Sequence, residues 1–137
     1  MISFSVSKTF SPELREEIWE IVKDINSMPK YWKGIRELNV NQVSHNVFEG
    51  SVRFAFPSTS RVRIQVLDYA VLVSFLNGIL SGENRIEVGQ GELRSTWNVE
   101  MPFYMRPFEG RNKEHFMEGA EHALERIIAE AIGKLSN

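Results

Sequence analysis

"ELRSTWNVEM" (residues 92–101) alternates without a break: Leu93, Ser95, Trp97, Val99 and Met101 fall on one side, Arg94, Thr96, Asn98 and Glu100 on the other. A period of two marks a β-strand with one face against a core and the other in water. The next segment, "MPFYMRPF" (101–108), breaks the alternation with two prolines. From Arg111 to Leu135 the apolar residues recur at helical spacing: Phe116, Ala120, Ala123, Leu124, Ile127, Ala131 and Leu135 form one stripe, and Glu114, Glu118, Glu121 and Glu125 lie opposite. A sheet with one apolar face is thus followed by a long helix with one apolar stripe. Each needs the other as its cover.

The alternation extends upstream of this strand as far as Ile35. It predicts strands near 35–42, 46–56, 60–67, 71–77, 83–89 and 91–101, broken by "VSHN", "PSTS", "DYA", "NGILSG" and "GQG". Links this short make the six strands an antiparallel meander. A first strand is read in Ile2, Phe4 and Val6, which alternate with serines. Ser11 followed by Pro12 then predicts a helix start, with the serine oxygen as cap. Leu14, Ile18, Trp19, Ile21, Val22 and Ile25 carry that helix to about Asn26, and Pro29 disfavours helix at Met28, leaving at most a short turn before Gly34.

The whole chain, 1–137, is long enough for one ordinary domain with a sizeable core, and no repeat or linker divides it. Sixteen basic and eighteen acidic residues leave a net charge of -2, which gives no general attraction for nucleic acid or an anionic membrane. The absence of cysteine excludes disulfides, thiolate metal sites and a cysteine nucleophile. The N-terminus lacks the form of a secretory signal, and no apolar run approaches the roughly 20 residues of a membrane span. The expectation is a soluble, cytoplasmic protein.

In a meander every second link lies at the same end of the sheet. One set, "VSHN", "DYA" and "GQG", is short and polar or glycine-rich. The other gathers "PKYWKG" (29–34), "PSTS" (57–60), "NGILSG" (77–82) and "PFYMRP" (102–107), and with them Tyr31, Trp32, Ile79, Leu80, Phe103, Tyr104 and Met105. Large apolar side chains collected in loops close a core, line the mouth of a cavity or meet a partner. Gly78, Gly82 and the Pro102/Pro107 pair suit movable segments, and Gly119, Ala120 and Ala123 put small residues where a filled core would use bulk. Both features favour a mouth. Of the two adjacent aromatics, Trp32 is expected inside and Tyr31 more exposed.

Candidates for chemistry are sparse. His115, Glu118 and His122 stand at i, i+3 and i+7, but at 100° per residue they fall well off the apolar stripe, which reads as a solvated flank. "GQG" links two strands and opens no helix, so it is not a phosphate loop. Arg53, Arg61, Arg63 and Arg94 belong to the wet sheet face, where cross-strand charge pairing accounts for them. No acid or base is placed inside. An inward Glu37, Asp24 or His115 would favour an enzyme.

Two stretches carry a family resemblance that covers the chain. "IWEIVKDINSMPKYWKGIREL" (18–38) resembles the tryptophan-containing first helix, the following Pro-aromatic-Trp segment and the next strand of the START-like, helix-grip superfamily, SRPBCC. "LSGENRIEV" (80–88) with "ELRSTWNVEM" resembles its last two strands. The polyketide cyclase/dehydratase group belongs there, as do small proteins of the carbon monoxide dehydrogenase-associated group, which are similar in size. The resemblance implies an α+β helix-grip fold: seven curved antiparallel strands around the C-terminal helix, with a first helix and a short second one after strand one. It also implies an apolar cavity between sheet and helix.

The expected wall and mouth comprise Trp32, Phe54, Phe56, Phe75, Ile79, Leu80, Asn84, Ile86, Ser95, Trp97, Val99, Phe103, Phe116 and Ala120, mostly apolar with Asn84 and Ser95 as the polar points. The function expected is binding of a small hydrophobic or lipid-like molecule, without cofactor or metal, for transport, sequestration or presentation. A cyclase/dehydratase-type enzyme using the same cavity, and a module assisting metalloenzyme maturation through a protein partner or as a homodimer, remain the alternatives.

Overall fold

A computed structural model describes residues 1–56 and 58–136, with side chains as far as Lys134. Pro57 and the side chain of Leu135, expected in a turn and on the helix stripe, lie outside the described residues. The strands are β1 (Ile2–Thr9), β2 (Ile35–Ser44), β3 (Val47–Phe54), β4 (Thr59–Leu67), β5 (Ala70–Gly78), β6 (Ser81–Val88) and β7 (Glu92–Glu100). The helices are α1 (Arg15–Val22), α2 (Met28–Tyr31) and α3 (Glu109–Ser136), with single 3₁₀ stretches at Pro12–Leu14, Ile25–Ser27 and Phe103–Phe108.

These seven strands form one antiparallel sheet in the order β1-β7-β6-β5-β4-β3-β2. Residues 10–34 carry the chain from one edge to the other, which puts β1 beside β7, with Ile2 opposite Val99 and Thr9 opposite Glu92. The sheet bends where its ladder is interrupted, at Ile35/Glu37 and Gln42/Ser44 on β2 and at Arg61/Val62 on β4. Gly50 permits a close approach of β2: a Cβ there would lie 1.9 Å from the Asn39 carbonyl oxygen. Gly82, at φ +124°, does the same against the Asn98 carbonyl at 2.1 Å.

The helix expected to reach Asn26 stops at Val22. Asp24 leaves the helical region at φ -79° and ψ 84°, and its carboxylate accepts from the Ser27 hydroxyl at 2.8 Å, a local bond that competes with the helix ladder. Met28 is helical despite the proline after it, because Pro29 falls in the first turn of α2, where its missing N–H is not needed. Ser11 does not cap with its side chain; its carbonyl accepts from Leu14 N at 2.8 Å and closes a 3₁₀ turn instead.

On α3, Ala120, Ala123, Leu124, Ile127 and Ala131 are buried, and Phe116 is half-buried against them. The helix packs on β1 and β7 and, through its C-terminal half, on α1 and α2. The outer sheet face carries the charges in pairs: Arg53 donates to Glu37 at 3.0 Å and Arg63 meets Glu49 at 3.7 Å, each directly across the ladder, and Arg94 pairs with Glu92 along its own strand. No helix among the described residues is long and apolar enough to cross a membrane.

Candidate functional site: an apolar cavity under the long helix

Period-two alternation on five strands and the register between them create a wall. Ile64, Val73, Asn84, Trp97 and Phe4 stand opposite one another in turn across β4, β5, β6, β7 and β1, so one row of side chains crosses the concave face. A neighbouring row runs through Val62 and Phe75. Between this face and the N-terminal half of α3 lies a cavity of about 590 Å³. Its opposite wall is Phe116, Gly119 and Ala120, and Met28, Trp32 and Leu80 close its ends. Such a volume falls within the range typical of small-molecule sites.

The aromatic rings are organised around Trp97. Phe116 lies 5.8 Å away and within 12° of its plane, Phe4 6.0 Å and 14°, and Phe75 6.0 Å and 19°. Trp32 meets the same indole at 6.2 Å, tilted by 53°. Phe56, just beyond the end of β3, stacks on Phe54 at 5.1 Å and 10°. Each such pair contributes about 0.5–1.5 kcal/mol beyond the area it buries, so the rings hold the wall in one arrangement.

Among the described residues, three polar side chains are buried: Ser60, Asn84 and Ser95. The Trp97 Nε1–H donates to Ser95 Oγ at 2.9 Å, and Ser95 donates to Asn84 Oδ1 at 2.7 Å. Ser60 Oγ donates to the Leu80 carbonyl at 3.1 Å and accepts from Leu80 N at 3.3 Å, which turns the "NGILSG" hairpin inward and places Leu80 in the cavity wall. The hydroxyl thus ties down a segment expected to be movable.

Of the residues expected at the site, Trp32, Phe54, Phe56, Phe75, Leu80, Asn84, Trp97, Phe116 and Ala120 border the cavity. The others do not. Ile86 and Val99 are buried in the core, Ser95 lies behind Asn84, and Ile79 is half-buried on the core's edge. Phe103 is the plain correction: it is 81% exposed, on the 3₁₀ stretch that leads away from the cavity into α3, with Tyr104 and Phe108 also exposed. Loop parity places a residue at an end of the sheet, but it does not say whether the side chain turns in or out. Val62, Ile64 and Val73 were missed, although the alternation that picked out Phe54 and Phe75 also marks β4 and β5.

Tyr31 and Trp32 are equally buried, at 7% each, so the expectation of a more exposed Tyr31 fails. Trp32 faces the cavity and Tyr31 faces Ile21, Val22 and Ile127 on the other side of the turn. Arg126 Nη1 donates to the Tyr31 carbonyl at 2.9 Å and Lys30 Nζ meets Glu130 Oε1 at 2.7 Å, fastening α2 to α3. Burial raises the pKa of the Tyr31 phenol. The Glu130 bond raises that of Lys30, and the same bond lowers that of Glu130.

The ionisable residues bordering the cavity, Lys33, His115, Glu118, His122 and Arg126, are exposed or half-exposed and form its rim. His115, Glu118 and His122 therefore lie at the mouth, which helical spacing alone placed on a solvated flank. His122 Nδ1 stands 3.5 Å from Glu125. Among the described residues no group of three or more acidic or histidine side chains is placed to hold a metal. Glu37 and Asp24 are exposed and point away from the cavity.

No protein-family model and no curated protein sequence matches the chain. Solved structures do. The chain superposes on TTHA0849 from Thermus thermophilus with a TM-score of 0.69 at 13% identity, covering 97% of both chains. It superposes on the Zhui aromatase/cyclase from Streptomyces sp. R1128 at 0.63 and 13%, covering 98% of this chain and 94% of that one. On a STAR-related lipid transfer protein from Xanthomonas axonopodis the values are 0.56 and 7%, covering 93% and 82%. The fold is therefore the helix-grip fold of START-like and cyclase-type proteins.

Proposed function

We propose that this protein binds a small hydrophobic molecule in the cavity between the sheet and α3, for transport, sequestration or presentation. The observation that carries this reading is the 590 Å³ space lined by Phe54, Phe75, Trp97, Phe116 and aliphatic side chains. Transfer of apolar surface into such a space is favourable by about 25 cal/mol per Å². The placement of ionisable lining groups at the rim suits retention of an apolar molecule rather than proton transfer to one. It also leaves room for a polar end of the ligand to remain in water. The helix-grip neighbours include a lipid transfer protein by its own description, which agrees with this use of the fold.

N-phenyl-1-naphthylamine should bind with sub-millimolar affinity and alter tryptophan emission, because Trp32 and Trp97 both border the cavity. Ala120→Trp should fill the space and weaken that binding by more than about tenfold, or about 1.4 kcal/mol. Equal affinity in the variant, measured by fluorescence titration, would remove the site from this cavity.

A further inference from the structure

Asn84 is the one polar side chain among the described lining residues that is buried, at 3% exposure, and it stands in the middle of the wall between Val73 and Trp97. Its amide has only one orientation that satisfies its neighbours. The indole N–H of Trp97 can only donate, and it donates to Ser95 Oγ. The hydroxyl hydrogen of Ser95, whose side chain is fully buried, then goes to Asn84 Oδ1. Turning the amide over would point its N–H at Ser95 and leave that buried hydroxyl hydrogen without an acceptor. The Trp97–Ser95–Asn84 chain therefore delivers Nδ2 as a donor.

That donor has no hydrogen-bond partner among the described residues, yet it is not a sealed, unsatisfied atom. Both conditions hold only if Nδ2 faces the cavity. A buried donor left unmatched costs about 1–3 kcal/mol, so the wall is built for an occupant that supplies an oxygen acceptor. The acceptor is uncharged by the same reasoning: among the described residues no cation stands inside to offset the desolvation of a carboxylate, and Lys33 and Arg126 are at the rim. The near-parallel rings of Phe75, Trp97 and Phe116 select for flatness.

We infer that Asn84 is the specificity-determining contact of the cavity and that its ligand is a neutral, flat, lipophilic molecule with a carbonyl oxygen accepting from Nδ2. This rests on the binding function proposed above and narrows the ligand class. The discriminating probes are 2-acetylnaphthalene and 2-isopropylnaphthalene, which share a shape but differ by the carbonyl oxygen. In the unmodified protein the ketone should move the Asn84 side-chain amide resonances in a ¹H–¹⁵N spectrum, with the hydrogen-bonded proton shifted downfield. The hydrocarbon should bind without that downfield shift.

Asn84→Leu should weaken the ketone about three- to tenfold, the worth of one neutral hydrogen bond, and leave the hydrocarbon as tight or tighter. If both probes bind but the ketone leaves the Asn84 amide unmoved, or loses no affinity in a folded Asn84→Leu protein, the assignment of Asn84 is overturned and the cavity function stands. If neither probe binds, or Ala120→Trp leaves both unaffected, the cavity function fails and this inference falls with it. Should Asn84→Leu not fold, the resonance shift in the unmodified protein decides the matter.

Discussion

The two halves of α3 face the same sheet, yet one is packed solid and the other stands over a cavity. In the C-terminal half, Ala123, Leu124, Ile127 and Ala131 are at most 2% exposed, because α1 and α2 fill the space beside them. In the N-terminal half, Gly119 and Ala120 border empty volume and Phe116 is half-buried. The division follows from how far two short helices reach. Stability is concentrated where they fill the grip, and capacity for a ligand is left where they do not.

The largest test of that contrast is a pair of truncations. Leu124→Ala should lower unfolding free energy by about 2–5 kcal/mol, since it opens a hole in tight packing. Phe116→Ala should cost only about 1–2 kcal/mol, the loss of its stacking on Trp97 and part of its burial, because the space beside it is already open. Urea unfolding measures both, and equal losses would mean that the two halves are packed alike. Ser60→Ala should follow at about 1–2 kcal/mol, from loss of the hydrogen bonds at both ends of Leu80. The same change should loosen the hairpin against the cavity and raise hydrogen exchange at Leu80.

The smallest effect concerns the Lys30–Glu130 bond that fastens α2 to the solid half. Glu130 has a pKa below the usual carboxylate value, so its contribution is present above that usual value and fades as pH falls through the lowered one. Lys30 has a raised pKa, so its contribution is full below the ordinary lysine range and is lost as pH rises through the raised value. Both ends are exposed to solvent, so the change in melting temperature should be slight. Glu130→Gln should flatten the acid-side decline, and an unchanged slope would show that the bond does not hold α2.

Much of the architecture was legible because alternation and helical spacing are local properties. "ELRSTWNVEM" announced β7, its inward face and the need for a cover, and the short links between strands required the antiparallel order. The early end of α1 was not legible, since it depends on the Ser27 hydroxyl returning to Asp24. The site was partly legible. Trp32, Phe75, Asn84 and Trp97 could be placed by pattern, whereas Phe103 could not, because its direction is set by the 3₁₀ stretch after Pro102. Ile86 and Val99 have the right periodicity for the cavity but sit where core side chains cover them.

By itself the sequence determined the class of elements, their order, the inward residues of each strand and the link of each aromatic loop to an end of the sheet. These follow from periodicity and chain connectivity. Only the tertiary structure decided which inward residues meet packing and which meet empty space, that Tyr31 and Trp32 are both buried but on opposite sides of one turn, and that the Asn84 amide presents its donor. These depend on sheet curvature, the reach of α1 and α2, and a hydrogen-bond chain closed between β6 and β7. Such geometry exists only once distant segments share one core.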